Sequence, residues 1–147
     1  MTIDKIKKLR EETSVSISEC KKALKEAKGD LAKAKEILQK WGREVAAKKK
    51  ERVTGCGLID CYAHPTKKLG VILELNCETD FVAKSADFQT LAHELCLQIA
   101  GARDDERPIL SQPWIKDETK TIKELVDEYI AKLGENIIIK QFARYEI

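Results

Sequence analysis

Two apolar periods share this chain, and the change from one to the other near Val53 limits its fold more than any other feature. Up to Trp41, apolar residues return every three or four positions: Ile3, Ile6 and Leu9, then Ala23, Leu24 and Ala27, then Leu31, Ala34, Ile37, Leu38 and Trp41. That spacing puts each set on one face of a helix. After Val53, GLIDCYA and GVILELNC are rich in strand formers and flank HPTKK, which has the length and residues of a hairpin connection. In the second run Val71, Leu73, Leu75 and Cys77 alternate with Ile72, Glu74 and Asn76. One face of that strand is predicted to be core and the other solvent.

Local signals divide the helical third. TSVSIS reads as a loop, and Ser16 and Glu19 have the spacing of a capping box, in which Glu19 reaches back to the start of the second helix. Gly29 ends that helix and Asp30 caps the next. Three short helices are predicted over residues 1–41, a docking bundle too small to be a catalytic body. Residues 42–52, with the run REVAAKKKER, read as a charged linker, helical or frayed. The body is predicted over 53–147. After the hairpin, Phe88, Leu91, Ala92, Leu95 and Ile99 mark a helix from Ser85 to Ala100 closed by Gly101. GARDDERPILSQPWIKDE is a polar, proline-interrupted crossing, Ile122 to Leu133 a last amphipathic helix ended by Gly134, and NIIIKQFARYEI a final strand. The expected fold is α+β: an N-terminal three-helix bundle, then a small antiparallel sheet of about three strands packed with helices.

Charge and chemistry narrow the function. Residues 1–52 hold 16 Lys and Arg against 9 Asp and Glu, a net +7, and residues 53–147 hold 11 against 16, a net −5. A basic module on an acidic body suits nucleic acid or an acidic protein face. The only aromatic residue of the basic third is Trp41, whereas RNA readers interleave rings for stacking. An RNA-binding module of the translation machinery is the alternative reading, and specific nucleic-acid contact is not expected. Five cysteines without a Cys-x-x-Cys pair, and a charged start without an apolar export segment, imply reduced thiols and a cytoplasmic protein. A zinc site from Cys56, Cys61 and His64 is disfavoured, because residues five apart on a strand face opposite sides. His64 and His93 belong to no nucleophile motif, and no phosphate-cradling glycine loop is present. No metal, cofactor, direct nucleotide site or membrane segment is expected, and the chain does not read as an enzyme.

That leaves CETDFVAKS, where an apolar run gives way to a helix. Thr79 or Asp80 suits a helix N-cap, with Phe81 and Val82 tucked into the core beneath. The other reading is a protruding finger that carries an anion and an apolar wedge into a partner.

IKKLREET, CKKALKEAKGDLAKAKEILQKWG, LELNCETDFVAKSADFQTLA and AKLGENIIIKQFARYEI resemble, in that order, the blocks of the elongation factor Ts family. The resemblance implies a guanine-nucleotide exchange factor for elongation factor Tu, the GTPase that carries aminoacyl-tRNA, working without covalent chemistry. It implies that Asp80 and Phe81, flanked by Thr79 and Val82, enter the GTPase domain near its magnesium site. It implies that the bundle is ubiquitin-associated-like and rests on the same domain through Arg10, Val15, Ile17 and Ser18. Leu133 and Gly134, with Glu135 and Asn136 beside them, would touch another domain of the partner. Where the family usually shows Gly-Ala-Gly-Met-Met, this chain has Ser14-Val15-Ser16-Ile17-Ser18. Long members carry two core subdomains and short ones pair, so a homodimer through the core is expected.

Overall fold

In the computed structural model, which describes residues 2–103 and 105–147, three helices come first: α1 (Ile3–Thr13), α2 (Ile17–Glu26) and α3 (Leu31–Lys49). Short polar side chains start each of them. Thr2 accepts from the Lys5 amide, Ser16 from the Glu19 amide and Asp30 from the Lys33 amide. Glu19 does reach back, but to the Ser16 hydroxyl at 3.0 Å rather than to a backbone N–H. Ile6, Leu9, Cys20, Ala23, Leu24, Ala34 and Leu38 close the bundle core. Ile3, on the predicted apolar face, is 71% exposed, whereas Ile6 on the same face is buried.

Helix α1 ends at Ser14, which is held left-handed at φ 57° while its amide donates to the Arg10 carbonyl at 2.7 Å. A Cβ in that region costs about 1 kcal/mol that glycine avoids. Ser14→Gly is therefore expected to raise stability by about 1 kcal/mol in urea unfolding, net of a small loss from greater freedom of the unfolded chain. An unchanged midpoint would count against the left-handed cap.

The third helix does not stop at Trp41. It runs for 19 residues, so most of the charged connector is regular helix. Its first half packs in the bundle through Ala34 and Leu38, and its second half places Ala46 in the core of the body. Gly42 lies at the crossing with the last helix, where a Cβ would stand 3.8 Å from the Ala131 methyl. One rigid element therefore enters both hydrophobic clusters.

The body is a three-stranded antiparallel sheet of β1 (Cys56–Ala63), β2 (Leu69–Cys77) and a C-terminal strand, in the order β1, β2, C-terminal strand. Val71, Leu73, Leu75 and Cys77 are buried as predicted, and Ile72 is exposed on the opposite face. After β2 come α4 (Asp80–Ala83) and α5 (Ala86–Gly101), the latter continuing through Gly101 to a cap at Ala102. The crossing is more ordered than its composition suggests. It holds a 3-10 turn at Ile109–Ser111 and a hairpin of β3 (Pro113–Trp114) and β4 (Asp117–Thr121). Gln98 of α5, 1% exposed, secures it: its amide donates to Gln112 Oε1 and the Pro113 carbonyl, and its oxygen accepts from the Ile115 amide at 2.8 Å. A buried amide with its donors and acceptor used is a stable clamp.

Helix α6 (Ile122–Leu133) follows, started by a full capping box between Thr121 and Glu124 and ended by Gly134 at φ 76°. Strand β5 (Ile138–Glu146) then pairs with β2, with a register shift between Glu74 and Leu75. Phe88, Leu91, Leu95 and Ile99 of α5 cover one face of the sheet, and Ile122, Leu125, Val126 and Ile130 of α6 complete the same core alongside α5 and α3. The α+β class and its sheet are as expected from the sequence.

Candidate functional site

Helix α4 is a single turn, too short to persist by its own hydrogen bonds. Two devices hold it. Thr79 caps it, its hydroxyl accepting from the Val82 amide at 3.3 Å, and Val82 and Ala83 sink into the body's core. Successive residues of a helix point about 100° apart, so the same turn that buries Val82 throws Phe81 outward. Phe81 is 87% exposed. Leaving a phenyl ring in water forgoes about 2 kcal/mol of burial, so folding does not account for its place. Asp80 beside it is exposed, and its carboxylate makes no hydrogen bond or ion pair among the described residues. The tip thus presents a bare carboxylate and a bare ring together.

Asp80 and Phe81 face solvent, as a protruding finger requires, and Val82 is tucked inward. Val82, expected at a partner contact, supports the tip from beneath. The other expected positions fall into two groups. Leu133, half-buried against the core, and Gly134, the exposed cap of α6, lie at a turn tied to the tip through Glu135. Arg10, Ile17 and Ser18 are exposed around the α1–α2 turn, where Val15 is half-buried against the bundle core. What connects the two groups is α3.

Sequence reasoning missed the bonding beneath the tip. The Glu135 carboxylate accepts from the Glu78 amide at 3.2 Å and the Thr79 amide at 3.0 Å through one oxygen, and from the Thr79 hydroxyl at 2.7 Å through the other. Glu78 answers by accepting from the Asn136 amide at 2.8 Å and standing 3.7 Å from Arg52. Asn136 donates its side-chain amide to the carbonyls of Lys50 and Arg52. The signal in sequence was only the proximity of acidic and amide residues to turns, and their hydrogen-bond partners are 56 to 86 residues away.

The two thiols buried in the body offer no nucleophile here. Burial pushes Cys77 up to about 11 and Cys96 to about 12, so both stay protonated near neutrality. Cys61 is exposed on β1, Cys56 is half-buried at the strand's start, and His64 turns its Nδ1 to the Thr66 hydroxyl at 2.8 Å. Among the described residues, no group of three His, Cys, Asp or Glu is placed to hold a metal ion. No described helix is long and apolar enough to cross a membrane.

Comparison with known proteins agrees with this layout. The family described as elongation factor TS matches residues 78–147, from the base of the tip to the C-terminal strand, and a UBA-like domain matches residues 13–41 of the bundle. These matches place the chain among translation elongation factors. Elongation factor Ts of Coprothermobacter proteolyticus is 39% identical, covering 97% of this chain and 95% of its own length. That of Moorella thermoacetica is 37% identical over 97% and 93%, and that of Thermotoga maritima 39% over 100% and 96%. The chain belongs to the elongation factor Ts family. The first of these alignments runs over 188 positions against 147 residues here, so that relative carries at least 41 positions (188 less 147) that this chain lacks.

Proposed function

We propose that this chain is a guanine-nucleotide exchange factor for elongation factor Tu, acting in the cytoplasm during translation elongation. The observation that carries the reading is Phe81, 87% exposed beside an unpaired Asp80 on a turn anchored from below. Phe81 wedges between helices of the GTPase and shifts the elements that hold its magnesium ion, while Asp80 adds hydrogen-bonding and charge interactions beside it. The ion neutralises the nucleotide's phosphates, so a disturbed shell weakens GDP. No bond of substrate is made or broken. Each tenfold loss of GDP affinity draws about 1.4 kcal/mol from the factor's own binding energy. Linkage makes the effect mutual, so incoming nucleotide expels the factor. Arg10, Val15, Ile17 and Ser18 rest the bundle on the GTPase domain, and Leu133 and Gly134 meet a second domain. Stopped-flow release of labelled GDP from the partner tests this. Release no faster with the factor than without it would end the proposal.

The same reading divides the chain into a docking bundle (1–41), a charged link (42–52) and a core (53–147) that pairs with a second copy. The sheet face turned away from α5 favours pairing. Ile59, 62% exposed, and Ile72, 49% exposed, sit there on adjacent strands, with Tyr145 opposite Gly70 on the third. A two-fold axis through such a face would cover the same apolar residues on both copies. Sedimentation at micromolar concentration is expected to give a dimer. A monomer, both alone and with elongation factor Tu present, would refute it.

A further inference from the structure

We propose that Glu135 is a positioning residue for the Asp80-Phe81 tip, fixing the direction in which the ring projects and joining the tip to the Leu133–Gly134 turn as one rigid contact. This rests on the exchange reading of the tip. Three features of the fold meet at this one carboxylate.

First, the tip is too short to hold its own direction. A one-turn helix has little internal hydrogen bonding, so beyond the burial of Val82 and Ala83 its orientation is set by what grips its ends. Its far end is gripped by Ser85, whose hydroxyl donates to the Val82 carbonyl at 2.7 Å and accepts from the Phe88 amide at 3.2 Å. Its near end is gripped by Glu135.

Second, Glu135 engages the tip's base completely. Three donors from Glu78 and Thr79 converge on its two oxygens. Bonds to an ionised acceptor are the stronger kind and hold their geometry better. The Thr79 hydroxyl, with its hydrogen directed to Glu135 in a hydrogen bond, turns a lone pair to the Val82 amide and so is fixed as the cap. A side chain used in this way faces its own chain, so Glu135 acts through the tip and not by touching the partner.

Third, the grip is reciprocal and spans the fold. Glu135 follows Gly134, the left-handed cap of α6, while Glu78 receives the Asn136 amide and Asn136 ties the end of α3. The base of the tip, the turn after α6 and the end of the helix that carries the bundle are thereby one body. A wedge works only if its own scaffold does not yield when the partner resists, and this arrangement supplies that stiffness.

The test uses the full chain with elongation factor Tu loaded with labelled GDP. Glu135→Ala is expected to lower the maximal stimulated release about tenfold, the scale of loss that goes with a displacement below an ångström. The concentration for half-maximal effect should move little, because the ring and the other contacts remain. In a Phe81→Ala background the same change should cost less than about twofold, since coupled residues are not additive. Amide hydrogen exchange at Glu78 and Thr79 should speed up in Glu135→Ala. If that variant melts too early to assay, Glu135→Gln keeps one oxygen for the amides but loses the charge, and a fall between those of alanine and the parent is expected. Full maximal release by Glu135→Ala beside an impaired Phe81→Ala overturns the positioning role alone. An equal loss in both backgrounds also overturns it. Full release by Phe81→Ala overturns the exchange reading, and the positioning role with it.

Discussion

Replacing Phe81 with alanine is expected to slow stimulated GDP release between about thirty- and 150-fold, because burying a phenyl ring in a partner is worth ~2–3 kcal/mol. The magnitude follows from what the ring does in the free protein, which is almost nothing. At 87% exposure it has little packing to lose, so the folding midpoint should stay within about 0.5 kcal/mol of the parent. Alanine also suits a helical turn better than phenylalanine does. A large loss of exchange with an unmoved melting curve is the signature of a residue kept for a partner. Asp80→Asn keeps the shape and removes the charge, and should give the smaller part of that loss, as expected of a polar group beside an apolar anchor. If Phe81→Ala exchanged nucleotide like the parent, the exposed ring would need another explanation.

The order of elements and the faces of β2, α5 and α6 were legible because each rests on a period that one buried side imposes. Val71, Leu73, Leu75 and Cys77 alternate because the sheet has a single covered face. Other features are set by what lies across the molecule. Gly42 sits in a helical pattern expected to end near Trp41, yet the helix continues to Lys49 and buries Ala46 in the core of the body. Gln98 reads as one polar residue on an apolar helix, and only its bonds to Gln112, Pro113 and Ile115 reveal the order of the crossing. In the site, Thr79 was legible as a cap, and the pairing of ring with carboxylate was legible as chemistry. Which of Phe81 and Val82 faces outward was not, since a single turn has no period to read. Glu135 was invisible as a clamp, because its partners are supplied by a segment 56 residues earlier.

Gly57→Ala is expected to cost about 3 kcal/mol, enough to lower the melting temperature by roughly 6–12 °C in a chain of this size. Gly57 lies in β1 opposite Asn76, one pair from Cys56 and Cys77, where the strands lead into the tip. Its φ is 155°, and a Cβ there would meet the Leu75 carbonyl oxygen at 2.3 Å and the Asn76 Cα at 2.8 Å. Both are backbone atoms of the central strand. Neither can rotate aside as a side chain would, so β1 must move away or β2 must bend. The cost is therefore structural and should appear in the folding midpoint before it appears in exchange. Gly55 supplies the control. It lies two residues earlier, where an added methyl would have nothing within 4 Å and φ is not left-handed, so Gly55→Ala should shift stability by less than about 0.5 kcal/mol. Equal melting temperatures for the two variants would mean that β1 and β2 do not approach each other this closely, and that the strand leading to Thr79 is held less tightly than its register implies.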